Sequence, residues 1–188
     1  MTEKKDVRAG RLLVATPELR DPNFVDTVVL LIEVNDDGAL GVVLNRPSPV
    51  PVAEVLHPWA TSVADPDVLF QGGPVSKDSA IAVALLVDSD DAPLGFRPVV
   101  GRLGLLDLDT PVELVDGTLS RLRIFAGYAG WGAAQLQGEV DEGSWYVVDG
   151  EPYDSFLDDV SSMWAAVLRR QPGELAFHAT RPPDPELN

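Results

Sequence analysis

The residues best suited to hold a ligand lie in the stretch GYAGWGAAQLQGE, which follows an apolar strand. Its glycines, Gly130 among them, would let the backbone turn or approach another segment closely. The N–H groups entering the next helix lack partners within that helix and could face a small anion. Tyr128 and Trp131 would wall the site, and Gln135 and Glu139 would share a helix face with Trp131. The alternative is structural, with the rings in the core and the polar side chains bound to nearby backbone groups.

A second candidate is the pair Asn45 and Arg46, which ends a strand of buried character. Polar side chains in such a place must find partners. Arg46 is expected to bind a carboxylate, which belongs either to a ligand or to the chain itself. The internal candidates are Asp21, Asp26 and Glu33, and the abundance of acidic residues favours one of them.

A third candidate is the segment QGGPVSKDS, in which Gly72 and Gly73 end a short strand. The segment superficially resembles a phosphate-binding loop because Ser76 and Lys77 follow the glycines. It lacks the Gly-Lys-Ser/Thr order at the spacing that such a loop requires. The favoured interpretation is therefore a sharp exit from the strand, with both glycines kept as candidate ligand contacts.

The composition excludes several kinds of site. The chain has no cysteine, which excludes a disulfide scaffold, a thiolate metal site and a cysteine nucleophile. His57 and His178 are the only histidines and stand in unrelated contexts, so no metal site is predicted. A Gly-x-Ser-x-Gly nucleophile elbow is absent. We therefore predict no catalytic residue, no metal and no cofactor.

The charge of the chain limits its partners. Asp and Glu number 30 against 14 Lys and Arg, which gives a formal net charge of −16. Affinity for nucleic acids rests largely on cations that meet phosphates, so unaided binding to a duplex is disfavoured. The expected partner is instead a small molecule or a protein, and the sequence leaves the oligomeric state open.

The chain is expected to form one cytoplasmic domain. No apolar run near the N-terminus is long enough for a signal peptide or a membrane span, so no membrane association is predicted. Residues 1–9 are predicted to be a flexible arm, residues 10–180 a single domain and residues 181–188 a disordered tail.

A β-hairpin is the clearest structural prediction. The run TVVLLIEV, residues 27–34, is almost entirely β-branched or apolar, as in a strand covered on both faces. The turn NDDG follows, and its Asp37-Gly38 pair suits a tight turn that needs a positive φ. Residues 39–45 would return antiparallel to the first strand.

The remaining pattern has more strands than helices and lacks a regular β-α alternation. Alternation within residues 121–127 places Arg121 and Arg123 outward and Leu122 and Ile124 inward. Other strands are predicted at residues 11–15, 68–71, 79–87, 102–109 and 144–149 and in the final ELAFHA, and helices at about 131–141 and 158–170. The three prolines between residues 47 and 51 argue against a central strand there. The fold class is therefore α+β, a single domain with a mixed, largely antiparallel sheet and a few flanking helices.

The blocks GRLLVATPELRDPNFVDTVVLLIEVNDDGALGVVLNRP, LFQGGPV and FAGYAGWGAAQLQGEVDEGSW resemble, in this order, the YqgE/AlgH family of small bacterial proteins. The resemblance runs from about residue 10 to residue 168 and implies a curled, partly barrel-like sheet. It implies no established activity; AlgH itself has been labelled a transcriptional regulator. The positions that match are Pro17, Asp21, Phe24, Gly41, Asn45, Arg46, Pro47, Gly72, Gly73, Pro74, Gly127, Tyr128, Gly130, Trp131, Gln135, Leu136, Glu139 and Trp145.

Three hypotheses for the function follow. The first is a non-enzymatic binding or regulatory protein whose site around the three blocks takes a small molecule or a protein segment. The second is a hydrolase or transferase that uses Glu139, Glu33 or Asp26 as a general base, which would require a carboxylate of raised pKa in a cleft. The third, transcriptional regulation by direct DNA binding, is disfavoured by the acidic charge.

Overall fold

A curled sheet forms the body of the molecule. The computed structural model describes residues 6–180, and within them the chain forms ten strands in the order β10-β1-β2-β3-β9-β6-β8-β7, with β5 beside β9 and β4 beside β5. The strands are β1 (Leu12–Ala15), β2 (Val28–Asn35), β3 (Gly38–Val43), β4 (Pro47–Pro51), β5 (Val68–Gln71), β6 (Val75–Leu86), β7 (Phe96–Val100), β8 (Leu103–Leu106), β9 (Leu119–Gly132) and β10 (Trp145–Val148). All pairs are antiparallel except β5 with β9. The predicted α+β class with a mixed, largely antiparallel sheet is confirmed.

Short helices flank the sheet: α1 (Val52–Val55), α2 (Gln135–Asp141), α3 (Met163–Arg169) and α4 (Leu175–His178), with 3₁₀ turns at His57–Trp59, Val112–Leu114 and Pro152–Phe156. Within residues 6–180, none of these helices combines the length and the hydropathy that crossing a bilayer requires. The predicted strand in ELAFHA is wrong, because this segment forms α4 instead. The predicted tail, residues 181–188, lies outside the described residues, as do residues 1–5 of the predicted arm; residues 6–9 form neither helix nor strand.

The predicted hairpin is confirmed. β2 and β3 pair antiparallel and are joined by Asp36 and Asp37, with Asn35 opposite Gly38. Gly38 has a φ of 146°, and a Cβ at this position would collide with the carbonyl oxygen of Trp131. The end of the hairpin therefore packs directly against β9. This contact places the first sequence block next to the third.

β9 continues beyond its predicted end. It runs 14 residues, through the whole GYAGWG stretch to Gly132, because Ala39 and Leu40 of β3 pair with Trp131 and Gly130. Of the two roles expected for the glycines, a turn or a close approach to another segment, the structure shows the second at Gly127, where a Cβ would lie 2.6 Å from the carbonyl oxygen of Gly73. The helix expected from about residue 131 begins only at Gln135, after the strand has ended.

Arg123 is buried, which contradicts the prediction that it points outward. It is 1% exposed, and its guanidinium carbon lies 4.2 Å from the centre of the Phe70 ring. Nη1 donates to the carbonyl oxygen of Leu157 at 2.9 Å, and Nη2 donates to that of Asp65. Burial lowers the pKa of Arg123 to about 10, against the opposing attraction of Asp158 and Asp65. Segments distant in sequence cover this face of β9, and local alternation cannot reveal them.

Three apolar clusters hold the sheet. One lies on the face covered by α3 and includes Phe70 and Phe125. A second lies beneath α2 and includes Trp131 and Trp145. A third packs β6, β8 and β9 against Val52 of α1. β9 contributes to all three, so the residues of the third sequence block are anchored from several sides.

Candidate functional site

The three sequence blocks meet where Gly72 and Gly73 pass between β3 and β9. The Gly72 N–H donates to the carbonyl oxygen of Ala126 at 2.9 Å, and the Val43 N–H donates to that of Gly72 at 2.9 Å. A Cβ on Gly72 would collide with the carbonyl oxygen of Gly127, and one on Gly73 with the backbone of Tyr128. Gly73 also has a φ of 154°. Close approach of two backbones thus accounts for both glycines.

Asn45 ties the end of β3 to the start of β2. Its Oδ1 accepts the backbone N–H of Val28 at 3.1 Å, and its Nδ2 donates to the carbonyl oxygen of Asp26 at 2.9 Å. Asp26 has a φ of 58°, in the left-handed region. The amide side chain therefore satisfies backbone groups where the chain turns into β2, in agreement with the need of a strand end for partners.

Arg46 binds backbone carbonyl groups of the neighbouring loop. Nη1 donates to the carbonyl oxygen of Asn23 at 2.7 Å, and Nη2 donates to that of Val25 at 3.0 Å. The predicted internal ion pair is wrong: within residues 6–180 no carboxylate oxygen lies within 4 Å of the Arg46 guanidinium. The loop turns its backbone oxygens toward the arginine, so hydrogen bonds replace the ion pair, and no described carboxylate pairs with the positive charge.

A cavity of about 340 Å³ opens beside Arg46 and Gly73. Val43, Pro74 and Ala126 supply apolar parts of its lining. Its polar lining residues are Asn23, Gln71, Arg46 and Lys77. We call this the cation cavity, because among the described residues that line it two are basic and none is acidic.

Lys77 reaches the cation cavity through an irregularity in β6. Val75 pairs with Tyr128 and Ala80 pairs with Ala126, so residues 76–79 bulge out of the ladder. Ser76 has a φ of 46°, and the Ser79 hydroxyl donates to its carbonyl oxygen at 2.8 Å. Across the described part of the chain, the Lys77 ammonium has no carboxylate within 4 Å.

The polar residues of the third block lie in a second cluster, and none of its residues lines the cavity. Glu139 Oε2 accepts the indole N–H groups of Trp131 at 3.0 Å and Trp145 at 2.9 Å. Glu139 Oε1 accepts from Gln135 Nε2 at 3.1 Å. The Phe24 ring lies 6.1 Å from the Trp131 ring and 5.6 Å from the Trp145 ring, measured between centroids. We call these five residues the indole–carboxylate cluster.

The indole–carboxylate cluster agrees with the structural alternative for these residues. Gln135 and Glu139 do share a face with Trp131, as predicted, and Gln135 Oε1 accepts the Gly132 N–H at 2.9 Å. Both oxygens of Glu139 already accept hydrogen bonds. None of these residues lines the cation cavity, so a ligand-binding role for them stays a prediction.

Tyr128 and Gly130 lie on β9 between the two regions. Tyr128 is half-buried and packs against the cluster beneath α3. Gly130 is exposed, and a Cβ there would lie 3.7 Å from side-chain atoms of Leu40 and Tyr128, an ordinary contact. Neither residue lines the cation cavity, and the backbone does not require glycine at position 130.

Neither of the other carboxylates considered as general bases, Glu33 and Asp26, lines the cavity. Glu33 Oε1 accepts from Asn35 Nδ2 at 3.1 Å, and its Oε2 lies 3.5 Å from Arg97 Nη1. Asp26 does not line the cavity. Among residues 6–180 there is no group of three or more His, Asp or Glu residues placed to hold a metal ion.

The structure therefore brings together Asn45, Arg46, Gly72 and Gly73 and separates them from Trp131, Gln135 and Glu139. Sequence reasoning missed Asn23, Gln71 and Lys77 as cavity residues. One signal pointed to Lys77, since it is the only lysine beyond position 5 in this acidic chain. Nothing local marks Asn23 or Gln71, which reach the cavity only through tertiary folding.

A family model described as AlgH-like matches residues 12–176 of the chain. The UPF0301 protein of Streptomyces avermitilis is 54% identical over 191 residues, which cover 100% of this chain and 98% of that protein. The UPF0301 protein of Mycobacterium tuberculosis is 43% identical over 185 residues, which cover 97% of this chain and 91% of that protein.

Two solved structures have a similar fold. A crystal structure of a protein from Corynebacterium diphtheriae gives a TM-score of 0.89 at 31% identity and covers 96% of this chain and 95% of that one. The solution structure of AlgH from Pseudomonas aeruginosa gives a TM-score of 0.66 at 29% identity, with 92% and 93% coverage. Matched over nearly its whole length in sequence and in fold, the chain belongs to the AlgH-like family, also known as YqgE/AlgH or UPF0301.

Proposed function

We propose that this protein binds a small molecule in the cation cavity without transforming it, in a carrier or regulatory role. The observation that carries the proposal is the convergence of the first two sequence blocks and β9 on one cavity with unpaired basic groups. Its volume of about 340 Å³ falls at the small end of the range typical of ligand pockets, roughly 300–1,000 Å³. That size favours a small molecule over a protein segment.

The construction of the cavity also supports binding. Backbone hydrogen bonds and close glycine contacts fix the wall near Gly73, and the two carbonyl bonds hold Arg46 in place. A site held in position before the ligand arrives loses less entropy on binding. Apolar surface from Val43 and Ala126 next to polar groups is the usual composition of such sites.

The enzymatic alternative finds less support. A general base must lie within hydrogen-bond reach of its substrate, and no carboxylate lines the cavity. Glu139 has both oxygens engaged by donors of the protein itself. Direct DNA binding is disfavoured by the net charge of −16.

The test is a metabolite screen observed by NMR of ¹⁵N-labelled protein. We expect a binder to shift the amide resonances of Gln71, Gly73 and Lys77 in a saturable manner and to leave those of Gln135 and Glu139 unchanged. Ala126→Leu places a larger side chain in the cavity lining and should abolish the shifts.

Two controls make the screen decisive. Ala92→Leu adds the same atoms at an exposed loop position and should leave binding intact. A binder whose shifts map to the indole–carboxylate cluster, or survive Ala126→Leu unchanged, would refute the assignment of the cavity.

A further inference from the structure

Resting on the proposed function, we infer that the ligand is a small polyanion, a metabolite bearing phosphate or carboxylate groups. Arg46 and Lys77 line one cavity, and like charges placed near each other repel. Within the described residues no acidic side chain of the protein neutralises either of them. A bound anion would supply the missing charge.

Some basic groups of this acidic chain are paired with carboxylates, in contrast to those of the cation cavity. Acidic residues outnumber basic ones by 30 to 14. Arg170 pairs with Asp154 at 2.6 Å, and Arg11 lies 3.3 Å from Asp149. In the cation cavity, the described lining contains two basic residues and no acidic one, so the cavity offers positive charge to an anion from outside.

Arg46 is held in place and keeps donors for such a ligand. A guanidinium has five N–H donors, and the structure engages two of its nitrogens with the carbonyl oxygens of Asn23 and Val25. Those bonds fix the planar group, and its remaining donors match the oxygens of a carboxylate or phosphate. Fixing the cation in advance reduces the entropy lost on binding.

The other polar side chains of the cavity suit oxygen-rich groups. Asn23 and Gln71 line it, and no hydrogen bond of their side-chain amides occurs within residues 6–180. An amide NH₂ group donates to phosphate, carboxylate or hydroxyl oxygens. Val43, Pro74 and Ala126 offer apolar contact to a carbon skeleton, so a metabolite suits the cavity better than a bare inorganic ion.

The experiment titrates three probes into ¹⁵N-labelled protein at constant ionic strength: pyrophosphate for the phosphate arm, citrate for the carboxylate arm and the neutral polyol myo-inositol. We expect at least one anion to shift the amide resonances of Gln71, Gly73 and Lys77 saturably, and inositol to leave them unchanged. Preference between the two anions identifies the acidic group.

Variants then show which basic residues contribute to the binding of the anion. Lys77→Gln should raise the Kd about tenfold, the loss of one charge-assisted contact. Arg169→Gln removes the same unit of charge at an exposed site on α3 and should leave the Kd unchanged. Arg46→Lys keeps the charge but changes the planar donor group and should weaken binding to an intermediate extent.

The outcomes separate this inference from the proposed function. Saturable binding of neutral metabolites in the cavity, with no response to either anion, would overturn the polyanion inference and leave the binding site standing. Equal effects of Lys77→Gln and Arg169→Gln would also overturn it. A cavity that responds to no metabolite and to no anion would overturn both.

Discussion

The indole–carboxylate cluster and the cation cavity are both built from the residues that distinguish this sequence, yet they differ in how their polar groups are paired. In the cluster, Glu139 accepts hydrogen bonds from Trp131, Trp145 and Gln135. In the cavity, Lys77 and the charge of Arg46 have no acidic partner among the described residues. The state of pairing, more than the residue type, distinguishes groups that hold the fold from groups that we propose to face a ligand.

The largest expected effect comes from breaking the cluster. Glu139→Ala should lower the free energy of unfolding by about 2–5 kcal/mol, because two largely buried indole N–H groups lose their acceptor. Urea denaturation measures the change. Glu142→Ala, an exposed change on the same helix end, should cost less than about 0.5 kcal/mol. Equal stability of the two variants would contradict the structural role of Glu139.

The next effect tests the wall of the cavity. Gly73→Ala should destabilise the protein by about 2–3 kcal/mol, since a Cβ would meet the backbone of Tyr128 at a φ of 154°. Gly130→Ala is the matched control, because a Cβ there has room, and it should change stability by less than about 1 kcal/mol. Thermal unfolding of the pair measures the difference. If Gly130→Ala destabilised the protein more than Gly73→Ala, the close backbone contact at Gly73 would not be what requires glycine there.

A smaller effect is expected within the cavity at Arg46, which both holds the loop and carries an unpaired charge. Arg46→Gln should cost about 1–2 kcal/mol of stability through the loss of its hydrogen bonds to the carbonyl oxygens of Asn23 and Val25. Hydrogen exchange of the amides in residues 21–26 should become faster. Unchanged exchange there would show that the loop does not depend on the arginine.

The smallest effect is expected at Lys77. Lys77→Gln should change the free energy of unfolding by less than about 0.5 kcal/mol, because the side chain is exposed and makes no ion pair within residues 6–180. Denaturation with and without added pyrophosphate is the measurement. The variant should lose the stabilisation that the anion gives to the native protein. A marked loss of stability without any anion would place Lys77 with the structural residues.

The sequence carried enough information for the hairpin of β2 and β3, because periodicity and the NDDG turn are local signals. It also indicated the mixed sheet and the family. It misled at Arg123, where alternation suggested a side chain exposed to solvent. The segments at Asp65 and Leu157, which are distant in sequence, cover that side chain in the fold. At GYAGW it left a turn and a close approach to another segment as alternatives, and Gly127 shows the close approach.

The candidate site was only half predictable for the same reason. Arg46 and Gly73 stand in recognisable motifs, whereas Lys77 reaches the cavity through a bulge that depends on the register between β6 and β9. The partners of Arg46 were also unpredictable, because backbone carbonyl groups carry no signature in the sequence. Pairing across the sheet, which no single segment determines, decides which polar groups remain open.

The place of β9 in the sheet has a consequence for synthesis on the ribosome. β9 joins β3, β5 and β6, and the last strand, β10, pairs with the first. Until residues beyond position 119 leave the exit tunnel, the nascent chain has an apolar β2–β3 hairpin whose outer edge lacks its neighbour. Such an edge is a template for association with other chains. We therefore expect truncated products that end before β9 to aggregate or to be held by chaperones.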